Sequence, residues 1–239
     1  MTVTNTGRRA LAELVGTALL VVAVVGSGIA AERLSPDDVG LQLFENAAAT
    51  AAALTAIILA VGPVSGAHLN PVVTLVDRVL GGIDSRGAVA YVAAQVAGGC
   101  AGTVVANLMF SEPAVAWSQA GRSGGGLWLA EVVATFGLLL VVFGVARSGR
   151  PSVAPFAVGA WIGGAYFFTA STGFANPAVT IARTLTDTFA GIDPADAPAF
   201  VAFQAVGAAS ALVVVRVLYP DVGRVAESVL VPHDHEEQT

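Results

Sequence analysis

Six apolar stretches, each near the length that crosses a lipid bilayer, constrain this chain more than any other feature. They run near residues 10–31, 46–64, 88–110, 127–146, 153–171 and 198–218. A transmembrane helix needs roughly 20 mainly apolar residues to cross a hydrocarbon core of about 30 Å. Formal charges within the stretches are confined to Glu13, Glu131 and the terminal Arg216, and 46–64 carries none. Without water, such a segment must satisfy its own backbone hydrogen bonds, so each is expected to be a helix. The expected fold is an all-α membrane protein with a single transmembrane domain over 1–239. Arg8 and Arg9 before the first stretch are also the pattern of a secretory signal. The length of that stretch and the five that follow favour a retained helix.

Composition removes several alternatives. Charged residues make up 12% of the chain, about half the share of a soluble domain. The net charge is −6, all eleven cations are arginine, and no arginine cluster exceeds two residues, which argues against nucleic acid as a partner. Cys100 is the single cysteine, excluding an internal disulfide framework and any multi-cysteine metal site. Two of the three histidines, His233 and His235, fall in the tail "PHDHEEQT" (232–239). That tail reads as a disordered acidic end, with weak divalent-metal binding as the alternative. No metal and no cofactor is expected.

Arginine placement gives an orientation. With the N-terminus inside, the inner segments hold eight arginines (8, 9, 78, 86, 147, 150, 216 and 224) and the outer segments three (33, 122 and 183). That is the positive-inside bias. Both termini are therefore expected to be cytoplasmic, with tails at 1–9 and 219–239, and the chain to sit in the plasma or inner membrane among its lipids.

The chain also repeats itself. "LAELVGT" (11–17) recurs as "LAEVVAT" (129–135), "NPVVT" (70–74) as "NPAVT" (176–180), and "YVAAQVAG" (91–98) as "FVAFQAVG" (200–207), at offsets of 118, 106 and 109. Three anchors in one order at nearly one spacing indicate a duplication, with repeat 1 over about 10–110 and repeat 2 over about 127–218. Three crossings per half make the second copy enter the membrane from the opposite side. Such an inverted repeat places a functional site between the halves near the bilayer midplane.

Each half holds an interval too short for another span and too apolar for an ordinary loop: "GPVSGAHLNPVVTLVDRVLGG" (62–82) and "STGFANPAVTIARTL" (171–185). Asn is a favoured N-cap and Pro a favoured first helical residue. Asn70-Pro71-Val72 and Asn176-Pro177-Ala178 thus read as starts of two short re-entrant helices. Glycine-containing segments before them suit irregular backbone, which survives at membrane depth only when packed in protein or lining a wet cavity. Inverted symmetry brings the two starts together, each with roughly half a positive charge from its helix dipole. Facing one passage, they oppose cations and hydronium. The asparagine amides supply donors, and the carbonyls of Gly66, Ala67, His68, Thr172, Gly173 and Phe174 supply acceptors. This set suits a small uncharged molecule with hydroxyl groups.

With these motifs the chain resembles the aquaporin, or major intrinsic protein, family over residues 10 to 218. "SGAHLNPVVT" (65–74) is close to that family's first signature, with Val72 where Ala is usual, and "GFANPAVT" (173–180) is similar to the second. The resemblance implies a right-handed bundle of six transmembrane helices plus two half-helices, one pore per chain, and a homotetramer. It assigns Glu13 and Glu131 as buried carboxylates that anchor the re-entrant loops; a proton-carrying role is the alternative. Gln95 and Gln204, equivalent in the repeat, fit interhelical hydrogen bonding, and His68 is expected to bond locally beside its motif.

The chain departs from the family at the constriction. The arginine that usually follows the second Asn-Pro-Ala is Val179 here. Counting back from the signatures puts the remaining constriction positions at Thr50, Ala165 and Phe174. Ala165 has Gly164 and Tyr166 as neighbouring candidates, because Gly173 and Asn176 stand one residue closer than in the family pattern. Replacing a guanidinium by an isopropyl group removes five donors and a fixed charge, which predicts a wider and less polar mouth. Arg183, four residues beyond Val179 and one turn along the same face, either supplies the missing cation or caps carbonyls and pairs with Asp187. Cys100 in "AGGCAGT" reads as helix packing, with a pore-facing thiol as the alternative. "SQAGRSGGG" (118–126) reads as a flexible outer connection.

The expected function is a passive channel for small neutral solutes: water, and larger molecules such as glycerol, neutral metalloid hydroxides and their methylated forms. An ion-coupled secondary transporter could use the same repeat, but the only deep acids are already assigned to the loops. An enzyme is not expected, since no deep histidine pair, Ser-His arrangement or ligand cluster is present.

Overall fold

A computed structural model describes residues 5–147 and 151–220; the tail motif at 232–239 lies outside the described residues. Among them the chain forms eight α-helices: α1 (Asn5–Leu34), α2 (Val39–Ser65), α3 (Pro71–Leu80), α4 (Ser85–Met109), α5 (Gly125–Arg147), α6 (Ala154–Phe168), α7 (Pro177–Arg183) and α8 (Ala197–Leu218). Five of them, α1, α2, α4, α5 and α8, are long and apolar enough to cross a membrane. The span expected over 153–171 is shorter than the sequence suggests. α6 holds 15 residues, about 22 Å at 1.5 Å per residue, and follows a 3₁₀ turn at Pro151–Val153. It stops at Phe168, where Thr169 takes extended backbone; the Thr169 hydroxyl donates to the Ala165 carbonyl at 2.6 Å. The Thr172 N–H then turns back to the Thr169 carbonyl.

Side-chain bonds between helix ends fix the direction of the chain. Arg9 near the start of α1 donates to Tyr91 near the start of α4 at 2.8 Å, so both helices begin on one face. α3 runs into α4 through four residues, 81–84, so its C-terminal end also lies on that face and its Asn70 end points inward. Arg33 near the end of α1 pairs with Glu112 just past α4 at 2.7 Å. Glu32 accepts from the Phe189 N–H in the connection between α7 and α8. The end of α1 therefore shares the opposite face with the C-terminal end of α7. The two short helices enter from opposite faces, as the odd span count requires.

The halves pack by the same scheme. α1 packs on α4 and α2, α5 packs on α8 and α6, and α2 against α6 joins the halves. α3 touches α8 while α7 touches α4, so each short helix also contacts the last long helix of the other repeat. Close crossings rely on small residues. A Cβ at Gly98 would fall 2.2 Å from the Leu14 carbonyl oxygen, and one at Gly102 2.4 Å from that of Ala18. The Gly98/Gly102 pair thus faces α1. Gly159 and Gly163 face α2, where added Cβ atoms would meet Thr55 and Ala51. Without a hydrophobic force between helices in lipid, such backbone approach is a main source of their association.

Because the atom in the way at Gly98 is backbone, no side chain can move aside. Gly98→Val is expected to cost about 3 kcal/mol, near the top of the range for overpacking. Thermal unfolding in detergent would show it as a large fall in Tm, while Val105→Ala on an outward face of α4 leaves Tm close to wild type.

Candidate functional site: the crossing of the two short helices

Each short helix begins with an asparagine cap, as the dipeptides predict. Asn70 Oδ1 accepts from the Val72 N–H at 3.0 Å, and Asn176 Oδ1 accepts from Ala178 at 3.0 Å and Val179 at 3.3 Å. With each oxygen turned to its own helix, each amide nitrogen points across the crossing. Asn70 Nδ2 donates to the Ala175 carbonyl, and Asn176 Nδ2 donates to the Leu69 carbonyl, both at 2.7 Å. The two motifs lock each other reciprocally. An amide nitrogen carries two hydrogens, and the bond across the crossing uses only one from each asparagine.

The segments before the asparagines match residue for residue at the offset of 106. Left-handed backbone occurs at Gly66, Ala67 and Leu69 in the first and at Thr172, Gly173 and Ala175 in the second. Four of these six are not glycine, which is a costly conformation for a side-chain-bearing residue. The buried carboxylates supply the compensation. Glu13 accepts from the Ser65 hydroxyl, the His68 and Leu69 N–H groups, and Gln95 Nε2, at 2.7 to 2.9 Å. Glu131 accepts from the Phe174 and Ala175 N–H groups at 3.0 and 2.9 Å and from Gln204 Nε2 at 2.6 Å, with the Ser171 hydroxyl as a fourth donor. Four donors per carboxylate are what an ionised acid needs at depth. Gln95 and Gln204 extend the pattern by donating to Thr74 and Thr180 inside the short helices. The serine hydroxyls had no signal in the sequence beyond their equal places in the two repeats.

A cavity passes through the crossing. Its wall includes Asn70, Asn176, Thr50, Phe174, Val179 and Arg183. Ala67, His68 and Gly173 of the loops also line it, with Leu69 added. Gly66 and Thr172, expected to present carbonyls there, do not line it. Each still belongs to the turn that closes the preceding helix, through N–H bonds to Gly62 and Thr169. Pro71, Val72, Pro177 and Ala178 are buried in the helix starts behind the wall. His68 bonds locally, with Nδ1 3.0 Å from the Thr74 hydroxyl and its ring edge-on to Tyr91. Cys100 is not on the wall.

Ala165 is the one expected constriction residue that the structure moves. It is fully buried and packs under the second loop, where a Cβ at Gly173 would come within 2.6 Å of its own. The next residue, Tyr166, reaches the cavity instead and shares a 3.1 Å hydrogen bond with Thr50. Gly164 is exposed on the other side of α6.

The connection 118–126 is docked rather than free. Ser118 bonds to the Thr184 carbonyl, Asp193 to that of Ala120, Gln119 to Asp187, and the Arg122 N–H to Asp196. Arg122 also donates to the Gly191 and Phe189 carbonyls and lies 5.2 Å from the Phe174 ring centre. Burial pushes the Arg122 pKa below its ordinary value, and the charge of Glu131 opposes this.

Residues 1–174 match the family model for the major intrinsic proteins. The chain is 50% identical over 209 residues to the aquaglyceroporin AqpS of Rhizobium meliloti (strain 1021), covering 87% of this chain and 89% of that one. The chain belongs to the major intrinsic protein family. As a member it is a multi-pass membrane protein and a passive channel for small uncharged solutes, and the ion-coupled transporter is not favoured. The family is one of transporters, not enzymes. A probable aquaporin AqpM of Archaeoglobus fulgidus is 31% identical over 211 residues, covering 78% of this chain and 86% of its own length. The fold agrees with the X-ray structure of the aquaglyceroporin from Plasmodium falciparum, at a TM-score of 0.70 and 22% identity, over 91% of this chain and 98% of that one.

Within this channel the carboxylate at 131 should be needed as an acceptor and not merely as a polar group. Glu131→Gln turns an amide donor toward N–H groups that are already donors, leaving buried groups unpaired at a cost of about 3 kcal/mol. The expected result is a lower Tm in detergent and loss of solute flux, with Glu131→Asp intermediate in both.

Proposed function

We propose that this channel conducts water together with solutes of about the size of glycerol, neutral metalloid hydroxides and their methylated forms being in the same class. The observation that carries the reading is the uneven wall of the cavity. Val24, Leu54, Val158, Ile162 and Val179 make it largely apolar, and hydrogen-bonding groups stand at a few places: Arg183, Thr50 and Tyr166, then the two asparagines and His68. A polyol has such a division itself, with hydroxyls along one edge and C–H groups along the other. The second N–H of each asparagine amide and the free lone pairs of the loop carbonyls replace part of its hydration. Val179 leaves room beside the crossing that a guanidinium would occupy. The identity to a protein described as an aquaglyceroporin supports the same solute size.

Ions are opposed by the dipoles of the two helix starts that meet at Asn70 and Asn176. In this reading the face carrying Arg183 is external and both termini are cytoplasmic, as arginine placement suggests. Four copies assemble in the plasma or inner membrane, each with its own pore, the helices' outward apolar faces meeting lipid or neighbouring copies.

Stopped-flow light scattering on proteoliposomes tests this. Osmotic shrinkage should be faster than in empty liposomes, and a glycerol gradient should give rapid reswelling. Val179→Phe, which fills the space beside Asn176, is expected to slow glycerol entry markedly while most water flow persists. Water flow without glycerol entry in wild type would show a pore narrower than proposed, and neither flux in folded protein would overturn the solute reading.

A further inference from the structure

We infer that Arg183 is the specificity-determining cation of this pore, displaced by one helical turn from the position that Val179 occupies. The inference rests on the channel reading above. Val179 and Arg183 are four residues apart on α7 and both line the cavity. The Arg183 backbone therefore stands about 6 Å further along α7 than that of Val179, and its guanidinium reaches the Phe174 ring.

Its surroundings fix it in place without using it up. Arg183 is 3% exposed. Its Nε donates to the Ala190 carbonyl, and its guanidinium carbon lies 3.5 Å from the centre of the Phe174 ring. A cation over a ring face is held by the ring's quadrupole, more strongly when desolvated. Phe174 is held in turn by Phe200, edge-on at 5.1 Å. Among the described residues no carboxylate lies within ion-pair distance of Arg183, and among them Nε is its only nitrogen with a hydrogen bond. The two terminal nitrogens thus keep their donors for whatever fills the cavity. A guanidinium serving only to cap carbonyls or pair with Asp187 would spend those donors on protein; Asp187 is instead taken by the Gln119 N–H.

Tyr166 and Thr50 line the same cavity, and Arg122, Tyr166 and Glu131 all act electrostatically on Arg183, the last two favouring its charge. The Arg183 guanidinium on the wall makes its end of the cavity hostile to cations before any reaches the asparagines. A neutral solute is offered a fork of donors and a pair of hydroxyls, then the apolar layer at Val179. The chemistry favoured is a small uncharged molecule with adjacent oxygen acceptors.

The test uses Arg183→Gln, whose amide can keep the bond to Ala190, in proteoliposomes with water, glycerol and sodium fluxes all recorded. The sodium leak is expected to rise by on the order of tenfold or more, since a unit charge in a partly desolvated passage is worth several kcal/mol against a cation. The ratio of glycerol to water permeability should fall, because the polyol loses the fork of donors. Arg183→Lys is expected to restore sodium exclusion but not the ratio, because an ammonium keeps the charge and loses the fork. Phe174→Leu, which leaves the cation and removes the ring that holds it, should lower the ratio in the same direction. Wild-type selectivity and wild-type sodium exclusion in both Arg183→Gln and Phe174→Leu would overturn the inference while leaving the channel reading intact. A wild-type protein closed to water and glycerol alike would instead defeat the channel reading.

Discussion

The acceptor capacity of two buried carboxylates holds the centre of this molecule together. Glu13 and Glu131 stand on the first long helix of each repeat, and each collects backbone N–H groups from the loop that precedes an asparagine. Those loops run through left-handed backbone at residues such as Leu69 and Ala175, which would be unstable without such compensation. The same bonds place Leu69 and Ala175 so that their carbonyls meet the opposite asparagine. Remove the carboxylates and the reciprocal lock has no fixed partners. A charge-assisted hydrogen bond contributes about 1.5–3 kcal/mol, so two sets of these can offset the burial of two acids that would otherwise be prohibitive.

Two-fold repetition explains why the arrangement closes on itself. Each copy alone presents a half-helix with an amide donor that has nothing to meet and a loop carbonyl with no donor. The inverted second copy supplies both at the point where the two halves face each other. Gln95 and Gln204 then tie the short helices back to the same acids through Thr74 and Thr180. Function departs from symmetry only at the ends. His68 and Phe174 occupy equivalent positions, yet one is bound to Thr74 and the other is flanked by Arg122 and Arg183.

Much of this was legible in the residues because the physics at work is local or periodic. Span length, the odd number of crossings and the Asn-Pro pairs each constrain structure within a few residues, and Glu13 and Glu131 stand out because acids at depth need donors. What was not legible depends on distances between remote segments. Tyr166, not Ala165, reaches the cavity because the second loop lies against Ala165 through Gly173, a contact that counting back along a family pattern cannot register. The glycine-rich connection at 118–126 looked free because composition reports turn capacity, whereas its docking uses backbone and aspartate groups near residues 184–196. The shorter α6 has a similar cause, since extended backbone at Thr169 and the turn from Thr172 back to it lead into the second loop.

Separating a filter's charge from its narrowest hydrogen-bonding crossing has a physical consequence. With the cation beside the asparagines, one group both repels ions and narrows the path, so excluding charge also restricts size. With Val179 and Arg183 one turn apart on α7, the two tasks, on the role inferred for Arg183, fall on different residues. In the proposed reading, the Arg183 layer discriminates on charge through a guanidinium braced by Phe174, where the hydroxyls of Thr50 and Tyr166 add neutral hydrogen bonds. The Val179 layer beyond it discriminates on volume and on how readily a solute sheds water, since an isopropyl group offers nothing in return. A bulky neutral solute can then pass where a small cation is refused, a combination that a single arginine beside the crossing does not readily provide.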